Sequence, residues 1–458
     1  MDWVIYIIVF ASSVAISVTP ATGMIYYVRT SKNITIYPHD IPLDAEKIII
    51  NSTGIDHVDY IEAFPNLTSY QIKDNMISTF PDLSNVSATL VELVVSGTLI
   101  ESIALNAVAT MPALKQLDIG FNRLTQLPDL TAVFPALGTL NVNCNKLVSM
   151  GQTSATTLCM DGNKMTALPD LSNVLDTFLS LNISNNNITS LQEGAIPLMP
   201  RCYYLNLNNN KLSTFPDLTN LIGLISLDLS SNQIRTIPNL PPLSLLATFK
   251  LNRNNLTAFP NLVSIADSLL RLYIDENDIV DFPDELLVPL SRLRSLSMGR
   301  RDGGAIYLPN FCLIRPTNPP LSLTFAEGSM IHCDLNALYA KLAQQTGSIQ
   351  ISSTVLCASP AHLVGRNFDD LTTDDLWPKQ TGNMQRIFTK LSTRWACPMS
   401  VKLPVPVRQR AGCAVLCLQQ PGCLMFSYVT NWCVTTNISS LMNMVDIEQH
   451  PDWYIMST

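Results

Sequence analysis

The stretch Leu224–Ile234 reads LISLDLSSNQI and decides how this chain of 458 residues folds. It follows the pattern L-x-x-L-x-L-x-x-N-x-L, which returns twelve times, with Ile, Val, Met or Phe often replacing Leu. Two further clear copies are Cys202–Leu212 (CYYLNLNNNKL) and Leu114–Leu124 (LKQLDIGFNRL). A phrase repeated at a fixed period sets the architecture before any local propensity is considered.

The asparagine column of the phrase gives the period. Its members are Thr53, Asn75, Thr98, Asn122, Asn145, Asn163, Asn186, Asn210, Asn232, Asn254, Asn277 and Arg301. Successive members lie 18 to 24 residues apart, and leucine-rich repeats span ~20–29 residues. On this phrase and period, the chain resembles the leucine-rich repeat family over roughly residues 45–301.

Each phrase is expected to hold a short strand. Leu227 and Leu229 point to one side of that strand, because strand side chains alternate between faces. One coil cannot shield this apolar edge from water, so neighbouring coils must stack on it. The asparagine lies where the backbone leaves the strand, and its amide can bridge adjacent coils. We therefore predict structural, non-catalytic roles for the asparagine column.

The return half of the repeat contains a second recurring motif, which we call the Pro-Asp refrain and which reads Phe or Leu followed by Pro-Asp-Leu. It occurs at Phe80–Leu83, Leu127–Leu130, Leu168–Leu171 and Phe215–Leu218. Its proline fixes φ and lacks an N–H, which disfavours long helices. We expect extended or 3-10 arcs there, with short helices only at Ser102–Ala113 and Ser190–Arg201. The predicted fold is α/β: a solenoid with a curved parallel β-sheet and a mostly irregular or 3-10 convex side, followed by a small disulfide-rich α+β module.

The domain boundaries follow from these patterns. We predict a signal peptide at 1–23, an N-terminal cap at 24–44, a solenoid of about twelve repeats at 45–302, a C-terminal flanking cap at 303–396 and a separate module at 397–458. The solenoid is expected to end near residue 302, because Arg301 and Gly303 replace the Asn and Leu of the last phrase. A degenerate last repeat supplies the polar edge that a solenoid needs.

The N-terminus and the glycosylation sequons both indicate export. Val4–Val18 is apolar or small, too short for a comfortable membrane span and typical of a signal-peptide core; an uncleaved anchor is the alternative. Sequons are glycosylated only along a secretory route, although an Asn-rich repeat creates some by accident. The eight sequons are at Asn33, Asn51, Asn66, Asn85, Asn182, Asn187, Asn255 and Asn437. We expect a secreted, extracellular protein with no membrane span in the mature chain.

A cysteine cluster distinguishes the C-terminal segment. Cys413–Cys433 reads CAVLCLQQPGCLMFSYVTNWC, in which Cys413 and Cys417 share one helical face. Cys423–Tyr428 alternates as a strand that residues 430–431 can turn back. The segment resembles a PAN/apple module over roughly residues 397–458. That resemblance implies the disulfides Cys413–Cys433 and Cys417–Cys423, and the chain departs from the apple subtype in having no cysteine after Cys433.

The other cysteines fall into two groups. Cys312, Cys333 and Cys357 resemble a leucine-rich C-terminal flank, and with Cys397 they allow three connectivities, of which we favour Cys312–Cys357 with Cys333–Cys397. Within the solenoid, Cys202 takes a Leu position and is predicted to be a buried thiol. Cys144 and Cys159 lie in adjacent copies, out of register by about three residues, and are either a strained disulfide or two thiols. Between the modules we also expect a helix at Asn336–Gln345 and an exposed acidic loop at Phe368–Pro378.

The sequence offers little for catalysis. The five histidines, His39, His57, His332, His362 and His450, have no metal-ligand spacing. The motifs G-x-S-x-G and H-E-x-x-H and the P-loop are all absent from the sequence. The net charge is −8 and no basic stripe for nucleic acid is evident. We predict no enzyme activity, no metal, no cofactor and no nucleic-acid partner.

The outward positions of the strands locate the expected binding surface. Their middle column runs Ile49, Gln71, Val94, Asp118, Asn141, Cys159, Asn182, Asn206, Asp228, Lys250, Tyr273 and Ser297. The C-terminal third adds charge and one ring, and we predict a contact patch at Lys250, Arg253, Arg271, Tyr273, Asp275, Glu276, Arg294 and Arg300. A glycan on Asn182 would occupy the centre of the concave sheet and would confine contact to repeats nine to twelve.

These features favour an extracellular recognition protein. A concave sheet is a natural binding surface for a protein, peptide or glycan, and the PAN-like module would add a second contact. One alternative is a carbohydrate or cell-wall adhesin that acts through the PAN-like module. A structural matrix protein without a dedicated ligand is the other.

Overall fold

The computed structural model divides the chain into two compact units, Met1–Asn277 and Asp278–Thr458. It describes residues 44–51, 54–56, 58, 61, 63–104, 108–191, 195–309, 311, 320–345, 347–352 and 354–376, together with short strands in the terminal segments. Within the described residues, no helix is both long and apolar enough to cross a bilayer.

The first unit is built on a ladder of parallel strands. Each strand pairs with the next along the chain, and the repeat leucines stay in register, as Leu205 with Leu227. The strands are Ile25–Val28, Lys47–Asn51, Ser69–Lys73, Glu92–Ser96, Gln116–Asp118, Thr139–Asn141, Thr157–Cys159, Ser180–Asn182, Tyr204–Asn206, Ser226–Asp228, Thr248–Lys250 and Arg271–Tyr273. One turn of chain per strand confirms the predicted repeat.

Two smaller pairings accompany this ladder, and the first strand of the ladder comes from the predicted N-terminal cap. Ile5–Ile7 and Ile16–Val18 form an antiparallel pair within the segment predicted to be a signal peptide. Gln126–Leu127 and Ser149–Met150 pair in parallel on the return side of two coils. Ile25–Val28, from the predicted N-terminal cap, adds a parallel strand beside Lys47–Asn51. The cleavage of the N-terminal segment stays a prediction.

The core is the stack of repeat leucines. Leu224, Leu227, Leu229 and Ile234 are each 0% exposed. Full burial of one such side chain contributes ~1.5–3 kcal/mol, and each contribution requires the coils on both sides. The apolar columns therefore stabilise the stack as a whole and no single coil by itself.

The asparagine column forms the predicted bridges between coils. The Nδ2 group of Asn232 donates to the carbonyl of Leu207 one coil earlier at 2.9 Å and to Leu229 of its own coil at 3.1 Å. Its Oδ1 atom accepts the N–H of Leu212 at 3.0 Å. Thr98 keeps part of this role by donating its hydroxyl to Asn122. The column is structural because its amides satisfy buried backbone groups.

The return arcs are mostly extended, with 3-10 turns at Ser84–Val86 and Val263–Ile265. The acid of the Pro-Asp refrain caps its own turn: Asp129 accepts the N–H of Thr131 at 2.9 Å, and Asp217 accepts that of Thr219 at 3.0 Å. Asp and Asn favour such turns through this bond. The helices expected at Ser102–Ala113 and Ser190–Arg201 are wrong for the described part of both segments, which holds no helix.

In the second unit, the parallel pairing does not stop at residue 302 as predicted. Ser295–Met298 pairs in parallel with Leu321–Phe325, which pairs with Ile349–Ile351. A second parallel sheet joins Ala305–Ile306, Met330–His332 and Leu356–Ser359. Buried residues such as Leu323 (0% exposed) and Ile331 (0%) supply the inward columns without the asparagine phrase. The helices are Asp284–Leu287, Leu335–Gln345 and Thr373–Leu376, with a 3-10 turn at Phe368–Asp370.

Two predictions for this unit need correction, and one is confirmed. Cys333 bonds to Cys357, with Cα atoms 5.4 Å apart; the pairings Cys312–Cys357 and Cys333–Cys397 are therefore wrong, because parallel strands place Cys333 and Cys357 on neighbouring coils. The segment from Phe368 is not an exposed loop, since Phe368 is 0% and Leu371 2% exposed. The helix expected at Asn336–Gln345 is confirmed as Leu335–Gln345.

The C-terminal segment contains four antiparallel strands, Lys402–Pro406, Met425–Val429, Trp432–Thr436 and Trp453–Ile455. The pairing of Val429 with Trp432 confirms the predicted hairpin. Cys312, Cys397, Cys413, Cys417 and Cys423 lie outside the described residues, and the side chain of Cys433 is not described. The PAN-like module and its disulfides stay predictions.

Candidate functional site

The outward side of the strands in the first unit, which we call the strand face, is laid out as the sequence predicted. Its middle column is in register through Asn182, Asn206, Asp228, Lys250 and Tyr273. At the N-terminal end the same column is closed, with Ile49 8%, Gln71 5% and Val94 6% exposed. Those three positions, predicted to face outward, are therefore not available to a partner.

Hydrogen bonds between neighbouring side chains occupy the centre of the strand face. The hydroxyl of Ser184 donates to Asn182 and to Asp161, at 2.7 Å in each case. Asn208 donates to the hydroxyl of Ser230 at 2.6 Å. These small polar groups are already partnered, which leaves little for a ligand. Whether Asn182 carries a glycan stays a prediction.

Lys250 is paired and does not act as a free cation. Its Nζ atom lies 2.9 Å from Oδ2 of Asp228, the previous member of the column. Burial lowers the pKa of Lys250, but the hydrogen bond and charge of Asp228, with smaller contributions from Tyr204 and Tyr273, outweigh burial and raise it. Lys250 thus stays charged, and its charge is largely offset within the face.

Arg253 and Glu276 form a second pair along the edge where the chain leaves the strands. Both residues have positive φ, 59° and 52°, and the guanidinium contacts Oε1 of Glu276 at 2.9 Å. The hydrogen bond and charge of Glu276 raise the pKa of Arg253. Asp275 lies beside them, and its carbonyl accepts the N–H of Arg253 at 3.0 Å.

Arg271 differs from these residues. It begins the strand Arg271–Tyr273, is exposed, and makes no ion pair with any residue that the structure describes. An unpaired guanidinium can bind a carboxylate through two parallel hydrogen bonds. Of the predicted contact residues in the first unit, Arg271 has the charge that is most available to a partner.

Two predicted contact residues, Arg294 and Arg300, belong to the second unit. Arg294 is exposed, at the start of the strand Ser295–Met298. Arg300 is paired with Asp302 at 2.6 Å, and the hydrogen bond from this guanidinium holds the pKa of Asp302 at about 2. Of the five cations in the predicted contact patch, two, Arg271 and Arg294, have no carboxylate partner among the described residues.

The structure adds an apolar row that the sequence analysis missed. The second position of each phrase lies just before the strand. Successive members are bridged by N–H to carbonyl bonds of 2.9 Å: Tyr203 to Leu179, Ile225 to Tyr203, Ala247 to Ile225 and Leu270 to Ala247. Tyr203 and Ile225 are each 45% exposed. We call Leu179, Tyr203, Ile225, Ala247 and Leu270 the apolar row. Aligning the second position of successive copies could have revealed it.

The cysteines of the first unit are thiols. Cys144, Cys159 and Cys202 are free, so the disulfide considered for Cys144 and Cys159 is not formed. Burial, and then the charges of Asp118 and Asp161, raise the pKa of Cys159. Burial raises the pKa of Cys202 to about 11, and its 0% exposure confirms the prediction of a buried thiol. Among the described residues, no group of three His, Cys, Asp or Glu side chains is arranged to hold a metal ion.

The chain has a leucine-rich repeat solenoid fold that resembles several solved structures. The LRIM1/APL1C complex is 17% identical, with a TM-score of 0.55 over 80% of this chain and 66% of that chain. The glycosylated Toll–Spatzle complex of Drosophila is 17% identical, with a TM-score of 0.52 over 77% of this chain and 51% of that chain. The TLR13–ssRNA13 complex is 14% identical, with a TM-score of 0.55 over 73% and 58%.

The alignments thus span about half to two thirds of the length of those chains. No protein-family model matches the sequence, and no curated protein matches it. At these identities the likeness concerns the fold.

Proposed function

We propose that this chain is a secreted or cell-surface recognition protein that binds a protein or peptide partner through the strand face of its first unit. The observation that carries the proposal is the apolar row, which exposes Tyr203 and Ile225 between half-buried neighbours and ends next to the unpaired Arg271. Aromatic and apolar side chains at the centre of a contact, with polar groups around them, are typical of protein interfaces.

The dimensions of the row favour a peptide or a single helix as the bound element. Strands in a sheet lie ~4.8 Å apart, so five members span about 19 Å. About three and a half turns of helix cover that length at 5.4 Å per turn. A sugar chain would gain less from this row, because the exposed side chain of Ile225 and the half-buried side chains of Leu179 and Leu270 offer no hydrogen bonds.

Charge adds a second element of recognition. Because Asp228 offsets Lys250 and Glu276 offsets Arg253, the net attraction for an anion is concentrated at Arg271, beside Leu270. A partner that carries an acidic group at one end of its apolar stripe matches this arrangement. Similar pairings across interfaces improve specificity more than raw affinity.

A matched set of variants tests the proposal. Full-length protein is captured on cells of the source organism, and bound partners are cross-linked and quantified. Ile225→Asp should reduce capture by at least about tenfold, and Arg271→Ala by about fivefold. The control is Val263→Asp, since Val263 is 51% exposed but lies on the 3-10 turn of a return arc. Equal capture by Ile225→Asp and Val263→Asp would refute the proposed face.

The alternatives predict other outcomes in the same material. A carbohydrate or cell-wall adhesin that acts through residues 397–458 would give glycan-array signals that Ile225→Asp leaves unchanged. A matrix protein without a dedicated ligand would give no saturable capture at all. N-terminal sequencing of protein from the medium tests export: a start near residue 24 supports a cleaved leader, and an intact Met1 on cell membranes supports an anchor.

A further inference from the structure

A column of exposed cations runs along the loops that follow the strands. The residue after each member of the asparagine column donates its backbone N–H to a carbonyl of the previous coil. Lys146 donates to Leu124 at 2.9 Å, Lys164 to Leu147 at 2.9 Å and Lys211 to Ile188 at 2.8 Å. Arg123 occupies the same position one coil earlier, bonded to Ile100 at 2.9 Å. All four side chains are exposed. We call Arg123, Lys146, Lys164 and Lys211 the basic column.

The loops that carry these cations contain no acid of their own. The loop segments 121–126, 144–149, 162–167, 185–190, 209–214 and 231–236 contain no Asp or Glu, and the last adds the exposed Arg235. None of the four forms an ion pair with a described residue. Of the equivalent loops on either side, 97–102 contains Glu101, and 253–258 contains Arg253, whose charge Glu276 offsets. The positive charge is therefore confined to these loops.

Stacking like charges on neighbouring coils is unfavourable unless an anion joins them. Coils lie ~4.8 Å apart, well within the ~8 Å screening length at physiological salt. Arg123, Lys146 and Lys164 are on three consecutive coils, in a chain of net charge −8. Such an arrangement resembles a linear binding surface for a ligand with regularly spaced negative charges.

We propose that the basic column binds a linear acidic polysaccharide that carries sulfate or carboxylate groups. An acidic group on each sugar repeats along an extended chain at a distance close to one coil, so successive anions meet successive cations. An extended peptide repeats side chains on one side every ~6.8 Å, which falls out of step with the coils. Single-stranded nucleic acid is bound with rows of aromatic stacking partners, and beside the column the described loops offer one exposed ring, Phe121.

The site is separate from the strand face. The basic column follows the asparagine column, whereas the apolar row precedes the strands. Each coil therefore presents its member of the basic column and its member of the apolar row at opposite ends of its strand. Asn187 occupies the column position between Lys164 and Lys211, and its sequon could carry a glycan there. The test therefore uses full-length protein with Asn187→Gln, which removes that glycan in any expression host.

The experiment measures binding of this protein to immobilised heparin over a series of salt concentrations. We expect saturable, salt-sensitive binding at physiological salt, and a loss of at least about tenfold in the variant Lys146→Glu with Lys164→Glu. The matched control, Lys115→Glu with Arg201→Glu, changes the net charge equally at two exposed positions outside the column, and should stay within about twofold of the parent.

Each other outcome overturns the proposal. No binding to heparin, an equal loss in both double variants, or tighter binding to polyuridylate or polyglutamate than to heparin would each do so. Ile225→Asp provides the link to the proposed function: it should bind heparin like the parent even though it loses its partner. Failure of one surface is thus distinguished from failure of the other.

Discussion

Replacing Asn210 with alanine tests whether the hydrogen bonds of the asparagine column hold neighbouring coils together. The Nδ2 group of Asn210 donates to the carbonyls of Ile183 at 3.0 Å, Leu207 at 3.1 Å and Asn208 at 3.3 Å. Its Oδ1 atom accepts the N–H of Ile188 at 3.0 Å. The side chain is 6% exposed, so water cannot easily replace these bonds.

The expected loss follows from what each group retains. The carbonyl of Ile183 keeps a bond from Asn186 at 3.1 Å, and that of Leu207 keeps one from Asn232 at 2.9 Å. The Ile188 N–H loses its acceptor, Oδ1 of Asn210, and a buried unsatisfied group costs ~1–3 kcal/mol of stability. Each carbonyl that loses one of its donors adds a fraction of ~1 kcal/mol to this cost. The sum is about 2–4 kcal/mol.

Native-state hydrogen exchange gives the clearest assay, because stacked coils can open locally without global unfolding. A loss of about 2–4 kcal/mol corresponds to roughly 30- to 900-fold faster exchange of the Ile188 amide. The control Gln233→Ala changes an exposed amide side chain and should shift stability by less than ~0.5 kcal/mol. If Asn210→Ala accelerates exchange of the Ile188 amide by less than about threefold, the expected loss of about 2–4 kcal/mol is refuted.

Three further predictions concern thiols, pH and the disulfide. Native Cys202, with its pKa raised to about 11 by burial, should resist alkylation at pH 8, and Cys159 should react more slowly than glutathione; rapid labelling of Cys202 in peptide maps would contradict this. Burial raises the pKa of Glu92, but hydrogen bonds from Ser69 and Gln71 and the charge of Lys47 bring it below 4.5. The stabilisation from Glu92 is thus present above pH 4.5 and lost as pH falls through the lower folded value, so the urea midpoint of Glu92→Gln should approach that of wild type only in acid. Cys333→Ser with Cys357→Ser removes a bond across 24 residues and should cost about 3 kcal/mol; a non-reducing map that links Cys357 to Cys312 would show a different pairing.

The sequence predicted the first unit well because each structural requirement recurs at a fixed position. Leu227 and Leu229 must point inward in every copy, and Asn232 must supply donors to the buried carbonyls of Leu207 and Leu229. The return arcs were predicted through Pro216, while the Asp217 turn was not recognised as a cap. Its signal was present, since Thr or Ser follows that Asp by two residues in several copies.

The second unit was predicted less well because its coils lack the asparagine phrase. Leu321–Phe325 alternates buried and half-buried residues, a pattern that also suits an ordinary strand. No asparagine column marks the repeat period in this unit. The sequence therefore predicted a flanking cap at 303–396, where the structure has further parallel strands. The Cys333–Cys357 bond follows from those coils, because neighbouring strands bring two distant positions together.

The sequence located the columns of the strand face but not the ion pairs between them, and the use of this face in binding stays a prediction. The sequence analysis placed Lys250 and Arg253 in the contact patch without their partners, and the structure pairs them with Asp228 and Glu276 on adjacent coils. In a solenoid, a residue's neighbours across the sheet lie one repeat period away in the sequence. Ion pairs are therefore found by comparing neighbouring positions in successive repeats. The same comparison of columns reveals the apolar row and the basic column.

Photo-crosslinking from a single residue tests the central claim most directly. A benzophenone-bearing amino acid at Tyr203, in the middle of the apolar row, should crosslink one protein or peptide partner on intact cells, and excess unlabelled protein should suppress the product. The same group at Val263 should give no such product. A partner trapped from Val263 and absent from Tyr203 would show that recognition does not use the strand face.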